Sequence, residues 1–244
     1  MTTKQATGLL PRASDLGERS LSDRLHVLLF GAIGWPWLLK SLSGGRKADK
    51  RRLLARLELP ADALPNLGSW KADTVLLHRI VDTIAALRPA TVVELGAGAS
   101  SLVTAKALAL NGGGRLVSFD QHSDFVQATA AWLAEHGLAA DMYAAELTPA
   151  PGDWPGLWYD VHHLPERIDL LIIDGPPWSV HPYVRGAADT LFERIPVGGT
   201  VLLDDAARPG ERVVARRWRK RWPNFRFELD RRGTKGTLVG RRIS

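Results

Sequence analysis

Residues 91–101 constrain the fold of this chain more than any other stretch. They run Thr-Val-Val-Glu-Leu-Gly-Ala-Gly-Ala-Ser-Ser, a β-branched and apolar run followed by two glycines and the start of an alanine-rich segment. This order predicts a β-strand, a tight turn and a helix. Gly96 and Gly98 remove side chains where the backbone turns and a ligand can come close, and Ser100 and Ser101 can cap the helix. The sequence therefore predicts a ligand at this turn, facing the first N–H groups of the helix.

Two carboxylates narrow the class of ligand. Asp120 ends the strand-like run 115–120, about twenty residues after the glycines, a spacing at which an acid can accept hydrogen bonds from ribose hydroxyls. Glu94 lies two residues before Gly96, where it suits a cationic group better than a pyrophosphate. Position 101 is serine, whereas a dinucleotide-binding fingerprint has a third glycine there. The pattern thus favours a ligand that carries a ribose and a positive charge.

Glu-x-Gly-x-Gly followed by an acid after the second strand resembles motifs I and II of the class I S-adenosylmethionine-dependent methyltransferases. The paired glycines 198 and 199, before an apolar strand that ends in Asp204 and Asp205, resemble the same family. The resemblance covers roughly residues 70–242. It implies an α/β fold with a seven-stranded, mostly parallel, doubly wound sheet that closes with an antiparallel strand pair, preceded here by an N-terminal helical extension.

The resemblance also implies S-adenosylmethionine as the cofactor. In this family the glycine turn passes under the methionine part of the cofactor, and the second-strand acid holds the ribose. Carried over to this sequence, the expected cofactor-binding residues are Glu94, Gly96, Ala97, Gly98, Ser100, Asp120, Gln121 and Asp174.

We divide the chain into an extension with a linker, residues 1–69, and a methyltransferase domain, residues 70–244. Residues 1–24 lack periodicity and are expected to be poorly ordered. Residues 25–42 are the most apolar stretch, but Gly31, Gly34 and Pro36 interrupt it, which predicts two helices that pack on the domain or on a second subunit. The alternative is a peripheral membrane anchor within residues 25–60, with tryptophans at the headgroups and basic residues against anionic lipid.

Composition limits compartment and partners. The chain has no cysteine, which excludes disulfides, thiolate metal sites and a cysteine nucleophile. The start of the chain lacks the apolar core of a signal peptide, so the expected location is the cytoplasm, with the membrane surface as a second option. Residues 61–206 carry 8 Lys/Arg against 18 Asp/Glu, whereas residues 207–244 carry 13 against 3. An acidic central body argues against a nucleic-acid groove over the cofactor turn, so no nucleic-acid partner is expected.

Carboxylates after the fourth and fifth strands suggest the chemistry. Asp174 ends a buried apolar strand, and His181 follows in the same loop; either could be the general base. Asp174, Asp204 and Asp205 meet at one sheet edge, which suits Mg²⁺ and resembles the metal-dependent catechol and caffeoyl-coenzyme A O-methyltransferases. The alternative is that Asp174 contacts cofactor or substrate, while Asp204 and Asp205 cap a turn and pair with Arg208 or Arg212.

The sequence therefore predicts methyl transfer from S-adenosylmethionine to a hydroxyl group of a small-molecule acceptor. Residues 148–164 and the loop containing Trp178 are expected to line the acceptor pocket with aromatic side chains, namely Trp154, Trp158 and Tyr159 in addition to Trp178. Two alternatives remain open. One is a non-catalytic binding or assembly protein on a methyltransferase fold, and the other is a nicotinamide-dependent oxidoreductase.

Overall fold

The computed structural model describes residues 21–64, 66–68 and 71–244. In this part of the chain, helices and strands alternate through the middle and the chain ends in a β-hairpin. The α-helices are α1 Leu21–Ser41, α2 Lys47–Arg56, α3 Thr74–Leu87, α4 Ala99–Leu110, α5 Ser123–Glu135 and α6 Pro209–Arg221. The strands are β1 Thr91–Leu95, β2 Arg115–Asp120, β3 Asp141–Ala144, β4 Leu147–Pro149, β5 Leu157–Tyr159, β6 Leu170–Ile173, β7 Thr200–Leu203, β8 Phe225–Asp230 and β9 Thr237–Arg242. A 3₁₀ helix, Val184–Arg194, connects β6 to β7.

Seven of these strands form one sheet in the order β3-β2-β1-β6-β7-β9-β8. The pairs among β3, β2, β1, β6 and β7 are parallel, and β9 is antiparallel to both β7 and β8. Strand order reverses between β1 and β6, and the carboxyl ends of strands flanking such a switch point form the crevice where open α/β sheets bind ligands. The predicted seven-stranded, mostly parallel α/β fold with an N-terminal helix is confirmed.

The central strands are buried on both faces because helices cover the sheet on each side. Val93 and Leu95 of β1 point into one core, together with the 3₁₀ helix and α6. Val92 points into the other core, together with α3 and α4. Continuous apolar strands such as Leu170–Ile173 are typical of this arrangement. Their burial leaves the strand ends as the polar, ligand-accessible edge.

The N-terminal region differs from the expected helix pair. Residues Leu21–Ser41 form one helix that contains Pro36, so the predicted break is wrong. Gly31 lets the helix approach the body, since a Cβ at that position would lie 3.2 Å from the ring of Trp178. Residues 21–24 are helical rather than disordered, and the rest of that expectation, residues 1–20, lies outside the described residues.

Helix α2 packs against the body as well. Leu53, Leu54 and Leu57 are fully buried in the same core as α3. The proposed domain boundary after residue 69 stays a prediction, and positions 69 and 70 beside it lie outside the described residues. None of the helices in the described ranges combines the length and the apolarity that a bilayer crossing requires.

Residues 148–164, expected to line the acceptor pocket, place their aromatic side chains in the core. This segment contains the two-stranded sheet of β4 and β5, and Trp154, Trp158 and Tyr159 are each at most 4% exposed. The Trp154 indole N–H donates to Asp189 at 3.0 Å. The expectation that these aromatics line an open acceptor pocket is therefore wrong, because their large apolar rings are used to bury the face of the sheet.

Candidate functional site

The turn between β1 and α4 lies at the switch point of the sheet. The Gly96 N–H donates to the Phe119 carbonyl of β2 at 2.8 Å, which fixes the turn against the neighbouring strand. Gly96 has a φ of +100°, and a Cβ there would lie 2.7 Å from the backbone nitrogen of Gly175. A side chain at this position is therefore excluded twice, by backbone conformation and by backbone contact. Gly98 has a φ of +150° and starts α4.

Asp120 bonds the predicted cofactor loop directly. One carboxylate oxygen accepts from the Ala97 N–H at 3.2 Å, and the other accepts from the His122 N–H at 3.0 Å. The side chain is only 7% exposed. Asp120 thus joins the end of β2 to the turn after β1, so the structure brings Asp120, Ala97 and the glycines together.

Glu94 is buried beneath the turn. Its Oε2 accepts from the hydroxyls of Ser101 and Ser118, and the Ser101 hydroxyl accepts from the Gly98 N–H at 2.9 Å. Burial raises the pKa of Glu94 to about 7, although the serine hydroxyls oppose the shift. The Ser100 hydroxyl also acts on this carboxylate, although the other oxygen, Oε1, has no hydrogen bond of good geometry within the described residues. Glu94 therefore supports the turn and leaves one acceptor that a ligand or water can use.

Ser100 and Gln121, two more of the predicted cofactor residues, flank this turn. Ser100 is 2% exposed in the first turn of α4. The Gln121 Nε2 lies 3.3 Å from the His122 ring nitrogen, and its Oε1 is buried without a hydrogen-bond partner in the described structure. Both follow strand ends at the same edge, in the loops where ligands of this class of sheet bind.

Asp174 lies at the end of β6, beside the cofactor turn. The Asp174 and Gly175 N–H groups both donate to the Leu95 carbonyl, at 2.8 and 2.9 Å. The Tyr159 hydroxyl packs against Gly175, since a Cβ on Gly175 would lie 2.1 Å from that hydroxyl. The carboxylate of Asp174 is thus delivered to the edge where the glycine turn ends.

Asp174, Asp204 and Asp205 meet as expected, with ligand oxygens within 4.8 Å of one another. Two buried cations lie among them. The Lys235 Nζ is 3.2 Å from Asp204 and 3.5 Å from Asp205, and the Arg185 guanidinium is 3.0 Å from Asp205 and 3.7 Å from Asp174. These cations neutralise part of the charge that a divalent ion would otherwise balance, but Oδ1 of Asp204 and Oδ1 of Asp205 have no hydrogen-bond partner within the described residues. The expected Mg²⁺ site therefore stays a prediction, with Lys235 and Arg185 as competing cations.

The pKa values in this acidic cluster follow the placement of the cations. Burial, together with the charge of Asp204, raises the pKa of Asp174 well above its usual range. Burial alone would also raise the pKa of Asp205, but Arg208, Lys235 and Arg185 hold it far below normal. Arg208 makes the closest contact with Asp205, at 2.8 Å, in agreement with the alternative of a structural pair. The cluster thus separates into one ionised aspartate bound by cations, Asp205, and two aspartates that retain protons more readily, Asp174 and Asp204.

His181 lies at the contact with α1. It is 1% exposed, and its Nδ1 accepts from the Tyr183 N–H at 3.1 Å. Its Nε2 lies 3.9 Å from the Asp23 carboxylate, and its ring lies 5.3 Å from the ring of His26. Since the backbone already uses one ring nitrogen as an acceptor, the remaining nitrogen faces the helix.

Sequence reasoning missed Arg185 and Lys235, which are 4% and 2% exposed. Lys235 lies in the connection between β8 and β9, where Asp73 binds the adjacent Thr234 through its N–H at 2.7 Å and its hydroxyl at 3.0 Å. A lysine in a glycine-rich turn is expected to be exposed to solvent. The sequence offered one indication of buried cations, namely that several aspartates follow neighbouring strands and their charges require neutralisation.

The comparisons with known proteins agree with this geometry. Residues 93–206, which include the glycine turn, Asp120 and the acidic cluster, match a family model described as a methyltransferase domain. The matched segment is similar to methyltransferase domains, and it makes up just under half of the chain. A search of curated proteins finds no match.

Solved structures share the fold of this chain at low sequence identity. Methyltransferase PaMTH1 of Podospora anserina is 13% identical, with a TM-score of 0.55 over 80% of this chain and 88% of its own. An O-methyltransferase of Bacillus cereus is 12% identical, with a TM-score of 0.52 over 88% and 99%. O-methyltransferase TomG of Streptomyces achromogenes is 15% identical, with a TM-score of 0.50 over 81% and 89%. At these identities the likeness supports the fold alone.

Proposed function

We propose that this protein is an S-adenosylmethionine-dependent methyltransferase that acts on a hydroxyl group of a small-molecule acceptor. The observation that carries the proposal is the bond from the Ala97 N–H to Asp120, which places an acid at the end of β2 against a glycine turn at the switch point. The cofactor assignment is supported by three solved structures of the same fold. PaMTH1 and the B. cereus enzyme were crystallised with S-adenosylhomocysteine, and TomG with S-adenosylmethionine.

The residues at the turn have separate roles in this proposal. Gly96 and Gly98 leave room for the cofactor, and Ala97 and Ser100 present backbone groups to it. Asp120 accepts hydrogen bonds from the ribose, Gln121 lies beside it, and Glu94 offers its free oxygen to a cationic group. S-adenosylmethionine supplies an electrophilic methyl group when bound. The task of the protein is then to align the acceptor oxygen with that methyl and to exclude water.

Asp174 is the better candidate for the general base. Its raised pKa makes it a stronger proton acceptor than an ordinary aspartate, and it lies next to the turn through Gly175. It would take the proton of the acceptor hydroxyl as that oxygen attacks. His181 remains a second candidate, although its contacts with Tyr183 and Asp23 suit a positioning role for the loop beneath α1.

We further propose that catalysis needs no divalent ion. Lys235 and Arg185 supply the positive charge that three converging carboxylates require, so no dehydration of Mg²⁺ is needed. Methyl transfer should then continue in the presence of a chelator. Two expectations for residues 25–60, contact with a membrane surface and self-association, stay predictions, and methyl transfer depends on neither.

The cofactor assignment is tested by calorimetry with S-adenosylhomocysteine and with NADH. Binding of the first and not the second is expected. Asp120→Ala should weaken binding roughly ten- to a hundredfold, because hydrogen bonds to a charged acceptor contribute about 1.5 to 3 kcal/mol. The matched control is Asp124→Ala, an exposed carboxylate in the first turn of α5. Preferential binding of NADH, or equal affinity of the Asp120 and Asp124 variants, would overturn the assignment.

Turnover needs a second measurement because the acceptor is unidentified. Labelled S-adenosylmethionine incubated with a metabolite extract should yield labelled small molecules and S-adenosylhomocysteine only when both extract and protein are present. Label in protein or RNA alone would contradict the small-molecule assignment. Cofactor binding without any transfer would favour the non-catalytic alternative.

A further inference from the structure

The outward face of α1 is the largest exposed apolar feature among the described residues. Eight of their eleven exposed large hydrophobic side chains lie on this helix or directly after it. Leu21 is 79% exposed, Leu28 70% and Trp35 58%. These residues form the apolar strip, which consists of Leu21, Leu25, Leu28, Leu29, Ile33, Trp35, Leu39 and Leu42.

The opposite face of α1 holds the helix in place. Phe30 packs edge-on against Tyr183, with ring centroids 5.2 Å apart, and His26 lies 5.8 Å from the same ring. Gly31 and Gly34 line a small pocket beside Trp178. Because this inner face is already in contact with the body, the helix cannot bury the apolar strip by turning over. A helix that is apolar on both faces is usually buried, so the strip needs a covering partner.

Charge distinguishes an anionic surface from a second copy of the chain. In residues 21–47 the exposed charged side chains are Arg24, Lys40, Arg46 and Lys47, all basic. Asp23 is half-buried beside His181. Two copies that paired through the strip would bring like charges together, whereas helix pairs of this kind use opposite charges beside their seam. Anionic headgroups complement the basic flanks.

The width of the strip supports the same partner. At 100° per residue, Leu28, Leu25, Leu29 and Ile33 alone spread over about 140° of the helix surface, wider than the narrow seam of a two-stranded coiled coil. A broad apolar face with a tryptophan and basic flanks is typical of helices that lie in the plane of a membrane interface.

We propose that α1 docks this protein on an anionic bilayer surface. The apolar strip lies at the boundary between headgroups and acyl chains, and Arg24, Lys40, Arg46 and Lys47 contact the headgroups. The docking is peripheral. It goes beyond the proposed methyl transfer and does not depend on it.

Vesicle co-sedimentation of the full chain tests the proposal. Binding is expected to vesicles of phosphatidylcholine that contain about one third phosphatidylserine and to be much weaker on pure phosphatidylcholine. Leu25→Asp/Leu28→Asp should lower binding at least about tenfold, because it removes apolar area and adds repulsion. The matched control is Val197→Asp, an equally exposed apolar residue on the body at 65%, and it should bind as the wild type does.

Three results would overturn the proposal. The first is no binding to either vesicle. The second is binding that the leucine pair and Val197→Asp change equally. The third is a dimer in the absence of lipid, detected by analytical ultracentrifugation, that the leucine pair dissociates, since that would assign the strip to a second copy. The thermal unfolding midpoint of each variant should stay near that of the wild type because both sites are exposed.

Discussion

Gly96 is the residue at which the cofactor turn and the loop after β6 meet. Its missing side chain allows the backbone of Gly175 to pass within contact distance, and this approach sets Asp174 beside the turn. The same position has a φ of +100°. A single glycine thus determines both the shape of the proposed cofactor site and its distance from the proposed base.

Gly96→Ala should cost more stability than the backbone conformation alone explains. Gly112 is the matched control, because its φ is +99° and a Cβ there would meet nothing within 4 Å. Gly112→Ala should cost about 1 to 2 kcal/mol for the left-handed conformation. Gly96→Ala should cost about 1 to 3 kcal/mol more, because its Cβ overlaps rigid backbone. Urea unfolding measures both, and equal losses would show that the loop moves freely away from Gly175.

Residues were predictable where one chemical requirement fixes the residue type. The glycines, Asp120 and the three clustered aspartates were found from spacing at strand ends, and the structure brings them together. Glu94 was expected to face a ligand, but two serine hydroxyls bind one of its oxygens below the turn. The sequence could not reveal these bonds, because Ser118 comes from a different strand and its register is set by the whole sheet.

At the scale of elements, the β8–β9 hairpin supplies a buried cation to the acidic cluster, which its sequence does not indicate. It inserts Lys235 between Asp204 and Asp205, and Asp73 at the start of α3 binds Thr234 and so holds the insertion. Asp73 also caps α3 through the Val75 and Leu76 N–H groups. The strand pair was expected from the family resemblance, but the long-range contact of its connecting turn has no local signature.

Lys235→Met should destabilise the protein by about 3 to 5 kcal/mol, since it leaves buried carboxylates without their cation. Adding Asp204→Asn should recover part of the loss, because one of the repelling charges is removed. Lys220→Met, at an exposed position of α6, is the control and should change stability little. Urea unfolding of the four proteins gives these differences.

The same variant tests the metal question without any enzyme assay. Mg²⁺ or Mn²⁺ should raise the thermal unfolding midpoint of Lys235→Met, because the vacated position suits a divalent ion. The wild-type midpoint should not respond to either metal or to a chelator. A wild-type midpoint that falls with chelator and recovers with Mg²⁺ would contradict the proposed metal independence.

Elements with a strong hydrophobic pattern were predicted well, and elements held by tertiary contacts were not. The central strands follow directly from their apolar runs. Helix α1 was expected to break at Pro36, yet it continues, with its inner face packed on Tyr183 and Trp178. The tryptophans of residues 148–164 suggested an acceptor pocket, but they pack in the hydrophobic core and cover one face of the sheet.

The molecule as a whole places several acids where water cannot reach them. Burial raises the pKa values of Glu94 and Glu211 to about 7 and also raises that of Asp204. The pKa values of Asp205 and Asp230 are shifted the other way. Neighbouring cations lower them, although burial acts to raise them. Two sets of carboxylates with opposite shifts give the fold a stability maximum between their titration ranges.

Stability should therefore fall as the pH rises from about 4.5 to about 7. In this range the unfolded chain has lost protons that buried Glu94 and Glu211 still hold, so the folded state binds more protons and each added pH unit favours unfolding. Each glutamate contributes about 1 to 3 kcal/mol. Below about pH 4 the sign reverses, because the unfolded chain takes up protons that Asp205 and Asp230, held ionised by neighbouring cations, do not accept in the folded state. Urea midpoints from tryptophan fluorescence, with Trp218 fully buried as a reporter, should be higher at pH 5 than at pH 7.5. Glu94→Gln/Glu211→Gln should remove a large part of that difference, the rest coming from Asp174 and Asp204, whose pKa values burial also raises. A double variant that retains the full wild-type difference would show that other groups control it.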